Sequence, residues 1–562
     1  MPDLPPNPAS SGNAQPAAVS PNQASIISPQ PIPMPSASSQ QNSVQDSVQV
    51  VNTTPSVVSI PDLTLSLNIQ GNILAGFRKD HQIFAFLQLP PQDPARAKSW
   101  LNELLPRIAM TKEVANFNAR FSAARLQRGG DDPENLQSKW VNIGLTANGL
   151  KCFGSAQVTA DLASFQSNFS SFIAGAASRA PQLGDSLPDS DPSQWLVGGA
   201  GQSEVDVILT VAADNPDDLL VEMEKLRAIA TKHGVVTLFE QRGNTLPGER
   251  AGHEHFGFKD GISQPGVRGF NKPRPVASQD GQDRSNEAAD STGTSVSTSL
   301  VAPGEFVLGY PREGGQALQT CPNWMKDGSF QVWRRLAQDV AGFWSQVTTQ
   351  VSIAPDSMTQ DQVAAKLMGR WRSGTPIDAA PSVDNRSAHD PQNDNDFDFS
   401  DRANDSAQIA PSIAPSTDTV GLRCPVDAHI RKMNPRNGEE ATRRIIRRGI
   451  PFGLPFDPAA GRGQGVDADR GLLFMAFMAS IENQFEFLQQ FWANGNFPGG
   501  EAGPDPIIGL PTPANGQPTH KIPRDGLAPL PLTIKRFVRT TGAVYAFAPS
   551  LTTLRALAAD IN

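Results

Sequence analysis

The chain has 562 residues, with 56 acidic against 47 basic side chains and a formal net charge of −9. No Lys/Arg block of the kind that lines a nucleic-acid surface stands out, and no apolar run reaches the roughly 18 residues a membrane span needs. Three cysteines, Cys152, Cys321 and Cys424, lie far apart with no Cys-x-x-Cys pair, which argues against a zinc site or a disulfide scaffold. The opening Met-Pro-Asp-Leu-Pro-Pro has neither a basic region nor an apolar core, so no signal peptide is expected and a cytoplasmic location follows.

Residues 1–63 are rich in Ser, Pro, Gln, Asn and Ala, and read as a disordered tail that cannot bury enough apolar surface to offset its ordering entropy. Alternation of apolar and polar residues starts near Leu63–Leu67. The run Ile83–Leu89 has strand length, and Asp93-Pro94 supplies an N-cap and a first-turn proline for a helix through Trp100, Leu101, Leu104 and Leu105. The grammar repeats: a strand at Val205–Val211, a helix opened by Pro216 and closed by Gly234, and a strand at Val235–Phe239. Strand-helix-strand twice is the mark of a ferredoxin-like α+β unit.

The second half reads similarly. Phe306–Tyr310 is taken as a strand, Phe330–Trp333 as the entry to a helix through Leu336, Val340 and Phe343, and Leu472–Phe477 as a further strand. A helix follows with Ile481, Phe485, Leu488 and Phe491 on one face; Ala543–Phe547 is a last strand before a short C-terminal helix. A polar stretch at about 373–419, with Asp-Asn-Asp runs and only Phe397 and Phe399 as aromatics, reads as a solvated, disordered insertion. The fold expected is α+β: two ferredoxin-like halves, 64–252 and 253–562, with antiparallel sheets and peripheral helices.

Three stretches carry chemistry. The first, His253 to Pro265, sets Asp260 between Phe258 and Ile262 and before Gly261. A surface Asp-Gly turn explains it, as does a carboxylate held at the mouth of a pocket to move a proton. The second, Arg423 to Arg436, holds His429 close to Arg431 and Arg436. A hydrogen-bonded core histidine is the plain reading; an axial iron ligand beside propionate-binding arginines is the other. The third, Arg443 to Gly453, carries Arg447 into an apolar turn, as a snorkelling side chain or as a fixed cation for an oxyanion.

Together these stretches resemble the fungal dye-decolourising peroxidases. The resemblance runs from Ile69 to the C-terminus through Ile69–Leu74, Gly257-x-x-Asp260-Gly261, Asp327–Phe330, Cys424-Pro425-x-x-Ala428-His429-Ile430-Arg431, Arg447–Pro451, Arg470–Phe474 and Pro549–Leu551. It implies a haem b in the C-terminal half with His429 as iron ligand and Asp260 and Arg447 on the opposite face. Leu472 and Phe474 would wall the pocket beside Gly261, Ile262 and Ser263. His255, Arg431 and Arg436 would reach the propionates, and Asp505 would hold the far nitrogen of His429. Trp492 resembles a surface oxidation site. The chain departs from the family at Phe452, where relatives can carry tyrosine, and only Tyr310 and Tyr545 remain for a tyrosine radical.

The expected function is peroxidase chemistry: hydrogen peroxide is reduced and dyes, phenols or other aromatics are oxidised by one-electron steps, without nucleic acid or membrane, with a homo-oligomer left open. A haem-binding or haem-delivery protein, or a structural protein without cofactor, are the rivals.

Overall fold

The computed structural model describes residues 60–559 outside 166–168, 274–287, 290–295, 354–357, 388–393, 400–417, 419–420, 458–467, 497–502, 511–518 and positions 317, 396, 398, 437, 439 and 525. Most of the tail expected over 1–63, and much of the insertion expected at 373–419, lies outside the described residues.

Four strands build the first half: β1 (His81–Gln88), β2 (Lys139–Leu145), β3 (Val207–Ala213) and β4 (Val236–Asn244). They pair antiparallel in the order β4-β1-β3-β2. The connecting helices include α1 (Pro94–Leu104), α2 (Thr111–Gln127) and α3 (Pro216–Lys232). Asp93 caps α1 by accepting from Arg96 N, and Asn215 caps α3, each followed by proline in the first turn.

The second half repeats the plan with β5 (Ser329–Gln338), β6 (Ile446–Arg447), β7 (Ile450–Phe452), β8 (Gly471–Met478) and β9 (Val538–Ala548). Its order is β6-β8-β5-β9, with β7 also on β8, so both halves follow the ferredoxin-like order. Helices α4 (Val340–Ile353), α5 (Gln360–Met368) and α6 (His429–Met433) lie in the connection between β5 and β6.

The halves join into one nine-stranded sheet among the described residues, through a single pair, Phe547 of β9 with Leu145 of β2. So few ladder bonds leave backbone groups to be satisfied otherwise. Gln70 does this: its Nε2 donates to Ile143 O and Pro549 O at 2.9 and 2.8 Å, and its Oε1 accepts from Ile143 N. At the other edge β4 packs on β7, where Gly243 leaves no room: a Cβ there would lie 2.5 Å from Ile450 Cγ2.

Period-two alternation sorts the strands' side chains. Phe84, Phe86, Ile208, Trp333, Leu473, Met475 and Val544 meet in one core between the sheets. Ile83, Ala85, Leu87 and Leu209 face the other way, onto Trp100, Leu101, Leu104 and Met223 of α1 and α3. Because both faces of β1 are covered, it reads as an unbroken apolar run.

Three expectations change. Phe306–Tyr310 is not a strand: Phe306, Val307 and Leu308 are buried, but Pro303 opens a turn and Val307 N bonds back to Pro303 O. A fully buried run looks the same in either state. Phe330–Trp333 belongs to strand β5, and helix α4 starts only after Asp339, whose side chain accepts from Gly342 N. Much of the described part of 373–419 is packed, Ser382–Asp384 being exposed: Ile377, Ala380, Phe397 and Phe399 are buried with Cys424, and Arg370 and Arg436 lie over the Phe397 ring. Cation–π contact lets two aromatics organise a stretch whose composition is otherwise polar. No helix among the described residues is long and apolar enough to cross a membrane.

Trp333 is fully buried, its ring 4.6 Å from Phe86 and 5.9 Å from Phe84 across the halves. Trp333→Ala is expected to lower stability by about 3–5 kcal/mol, read from the denaturation midpoint in guanidinium.

Candidate active site

The outer face of the second half's sheet is not filled as the first half's is. Leu336 on β5, Leu472 and Phe474 on β8, and Val538 on β9 look onto a cavity of about 270 Å³. A single water needs roughly 10–15 Å³ by this measure, so this is a built chamber rather than a packing defect. His429, Asp260 and Arg447 all line it, with Gly261, Ile262 and Ser263.

Asp260 stands where the chain turns sharply, with Gly257 and Gly261 at φ of 99° and 77°, conformations open to glycine. Its Oδ1 accepts from Gly261 N at 2.6 Å and from Arg447 Nη1 at 3.0 Å. Arg447 Nη2 also donates to Ser263 O at 3.2 Å. The side chains of Asp260 and Arg447 remain 34% and 29% exposed, and that surface belongs to the cavity they line. Burial alone would raise the Asp260 carboxyl; Arg447, the Gly261 N–H and the charge of His429 outweigh it, and the net direction is down from 3.8.

Arg447 is aimed by its strand. On β6, Ile446 enters the core between the sheets, so Arg447 points outward. Gln264 clamps its backbone on both sides, accepting from Arg447 N and donating to Arg447 O, each at 3.1 Å. The next residue, Arg448, turns to the carbonyls of Asn72, Ile73 and Leu74. Two neighbouring arginines thus do different work.

His429 begins α6. Its Nδ1 lies 2.8 Å from Asp505 Oδ2; an ionised carboxylate only accepts, so Nδ1 carries the hydrogen. Asp505 is 1% exposed, and its other oxygen accepts from Ile507 N and Ile508 N at 2.8 and 3.0 Å. Burial pulls the His429 imidazole down but Asp505 pulls it up further, and the net direction is up; the same pairing holds Asp505 below the usual carboxylate range against the opposing effect of burial. No hydrogen-bond partner meets Nε2 among the described residues.

Three further arginines, Arg370, Arg436 and Arg444, line the cavity with no carboxylate in ion-pair reach among the described residues. Burial lowers them to about 10, about 9 and about 10, so all three stay cationic at neutral pH. Glu254 lines the same chamber; burial raises it to about 7, while it accepts from Phe256 N, Phe258 N and Gln338 Nε2 and so fixes the loop leading to Asp260.

Several expectations fail. His255 does not line the cavity: it is buried, its Nε2 donates to Phe452 O at 2.8 Å, and burial brings it down to about 4. Arg431 turns away to Asp418 and Cys424 O, stacked on Phe399. Trp492 is 2% exposed, against 57% for Phe491. The helix of Ile481–Glu486 and Leu488–Ala493 is wound as a π-helix, and this wider turn shifts the buried face past where α-spacing puts it. Arg436 does reach the cavity. Gln264, Glu254, Arg370 and Arg444 were missed; all but Arg370 lie in a stretch the sequence singled out.

Residues 68–247 match the DyP dimeric alpha+beta barrel domain, and 313–498 match Dyp-type peroxidase, C-terminal. Peroxidase 2 of Mycetinis scorodonius is 32% identical over 507 residues, 87% of this chain and 86% of its own. A dye-decolorizing peroxidase of Auricularia auricula-judae is 30% identical, covering 89% and 88%. A solved dye-decolorizing peroxidase in complex with 2,6-dimethoxyphenol superposes with a TM-score of 0.68 at 31% identity, over 89% of this chain and 100% of that one.

Asp505→Asn removes the charge that does most to raise His429 and leaves burial and Arg447, which lower it, against Asp260 alone. The imidazole of the cofactor-free protein is then expected to titrate below 6.5, as read from its NMR shifts against pH. The fold, the two charge pairs set around one cavity and these likenesses agree: the chain belongs to the dye-decolourising peroxidase family.

Proposed function

We propose that this protein is a haem peroxidase that reduces hydrogen peroxide and oxidises dyes, phenols and other aromatic compounds one electron at a time. The observation that carries the reading is the Asp260–Arg447 pair, facing the same cavity as a histidine whose far nitrogen is fixed by Asp505. A haem carrier on this scaffold would need the histidine but not the acid–base pair.

The residues fit haem b. Nε2 of His429 offers a lone pair into the cavity, and Asp505 strengthens it by taking the Nδ1 hydrogen bond. Arg370, Arg436 and Arg444 are buried cations with no carboxylate in ion-pair reach among the described residues, which suits the two propionates. Leu472, Phe474 and Leu336 supply apolar walls for the ring. When bound, the haem supplies the iron and the two electrons that reduce the peroxide.

The protein's own part is proton and charge management. Asp260, kept ionised, takes the proton from one peroxide oxygen and returns it to the other, base first and acid second. Arg447 stabilises the negative charge that grows on the departing oxygen, from a position already fixed by Gln264. Neither group has to be recruited from solvent.

Titration of the purified protein with haem is expected to produce a Soret band that changes on one equivalent of peroxide. No band would remove the reading. Asp260→Asn should keep the band and slow the reaction with peroxide by about 10²–10⁴-fold.

The pH dependence follows from the lowered Asp260. The base form is complete above its carboxyl value and is lost only as pH falls through it, below 3.8. The peroxide rate should therefore hold down to about pH 4, where a histidine base of ordinary pKa about 6.5 would be spent. Arg447→Leu leaves burial to dominate, and should move the acid limb up by about 1–3 units; stopped-flow rates from acid to neutral pH measure both.

A further inference from the structure

Dyes are larger than peroxide, and haem bound in a cavity of about 270 Å³ leaves no room for them beside it, so their electrons have to cross protein. Trp492, the residue the family pattern suggests for this, is 2% exposed, and Tyr545 is equally buried with its hydroxyl donating to Glu486 at 3.1 Å. From the cavity wall, Phe474 and Phe485 lead only to this buried tyrosine, whereas a second run of aromatic contacts leads outward.

Phe256 lines the cavity. Its ring centroid is 4.7 Å from that of Phe343, and Phe343 is 5.3 Å from Trp344, edge to face. The path closes on itself, because Trp344 Nε1 donates to Phe256 O at 3.1 Å. Phe343 and Trp344 are consecutive on α4, so the helix buries the phenyl ring under the cavity wall and leaves the indole half-buried at the protein surface. Trp324 is also half-buried, but its ring neighbours Phe165 and Phe547 connect to Phe169 and Phe330, none of which lines the cavity. Beside Trp344 stands Arg372, its guanidinium 5.4 Å from the ring centre and its side chain 52% exposed, with Asp361 3.8 Å beyond.

We infer that Trp344 is the surface residue through which reductants too bulky for the cavity deliver their electrons. The inference rests on the peroxidase reading, which supplies the oxidant. In each event the indole gives one electron inward to the oxidised cofactor and becomes a radical cation. It keeps its Nε1 proton, because the carbonyl of Phe256 accepts a hydrogen bond but is not basic enough to take the proton. One electron from the aromatic reductant restores it, and a phenolic donor releases its proton to water. Two such events match the two electrons consumed by one peroxide. The charge of Arg372 makes the indole harder to oxidise and the radical correspondingly stronger as an oxidant, and its exposed guanidinium can pair with an anionic donor. The substrate class is therefore anionic aromatics such as sulfonated dyes.

The test uses the haem-loaded full chain. Peroxide is added without reductant in the presence of a nitroso spin trap, and the adduct is located by peptide mass spectrometry. An adduct on Trp344 is expected; because the chain is unaltered, this result does not depend on how a variant folds. In parallel, Trp344→Phe should cut turnover of a sulfonated anthraquinone dye by about ten-fold or more, a loss in kcat rather than KM, and leave the peroxide reaction unchanged. A normal spectral change on peroxide with no adduct at Trp344, or dye turnover in the variant within about two-fold of the parent, overturns the inference and leaves the peroxidase reading standing. No spectral change at all overturns both.

Discussion

A carboxylate stays ionised inside a chamber with apolar walls only if a cation and a fixed N–H are held against it, and the site is built around that requirement. Arg447 and the Gly261 amide meet it for Asp260. Arg447 is itself held by the strand that carries it and by Gln264, so the stabilising charge cannot drift as the reaction redistributes protons. The pair therefore depends on β6 being registered correctly on β8, Arg447 opposite Ala476. A one-residue slip would turn Arg447 into the core and Ile446 into the cavity.

The opposite wall uses the same device with the signs exchanged. Asp505 is almost wholly buried, and what lets it remain charged is three donors: the His429 ring and the amides of Ile507 and Ile508. An imidazole held this way has one orientation and one tautomer. Each wall thus rests on a carboxylate, half-buried Asp260 on one and fully buried Asp505 on the other. What separates their roles is access: Asp260 faces the chamber, while Asp505 is sealed behind the histidine.

Sequence reading reached the fold because alternation and caps are local: Asp93-Pro94 and Asn215-Pro216 mark helix starts whatever packs on them. It reached Asp260, His429, Arg447, Leu472, Phe474 and Asp505 through the family resemblance, since no local rule joins residues so far apart. It failed where orientation was decided elsewhere. Spacing cannot tell that Arg431 goes to Asp418 and Arg436 to the cavity, because each is claimed by a partner from another segment. It placed Trp492 at the surface through the family resemblance, and Phe491 on the buried face by counting in α-helical turns along a π-helix. It called 373–419 solvated on composition, though two phenylalanines stacked against arginines organise its described part. Arg370 carries no local signal, and nothing local sets Arg444 apart from Arg443, Arg447 and Arg448 in its own stretch.

The duplicated fold explains why this chamber lies in the second half. In the first half, the outward side chains of β1 and β3 are Ile83, Ala85, Leu87 and Leu209, and α1 and α3 close directly on them. In the second half, the matching face presents Arg334, Leu336 and Gln338 on β5 and Thr540 on β9. A helix seated directly on such a face would displace the partners these groups have, Asp185 for Arg334 and Thr540 and Glu254 for Gln338, at a cost that grows with each. The connection from β5 to β6 is accordingly long, and it sets its own elements back from the sheet, bringing His429, Arg370, Arg436 and Arg444 to the far side of the gap. The same architecture thus makes a solid core where its outer face is apolar and a reaction chamber where that face is polar.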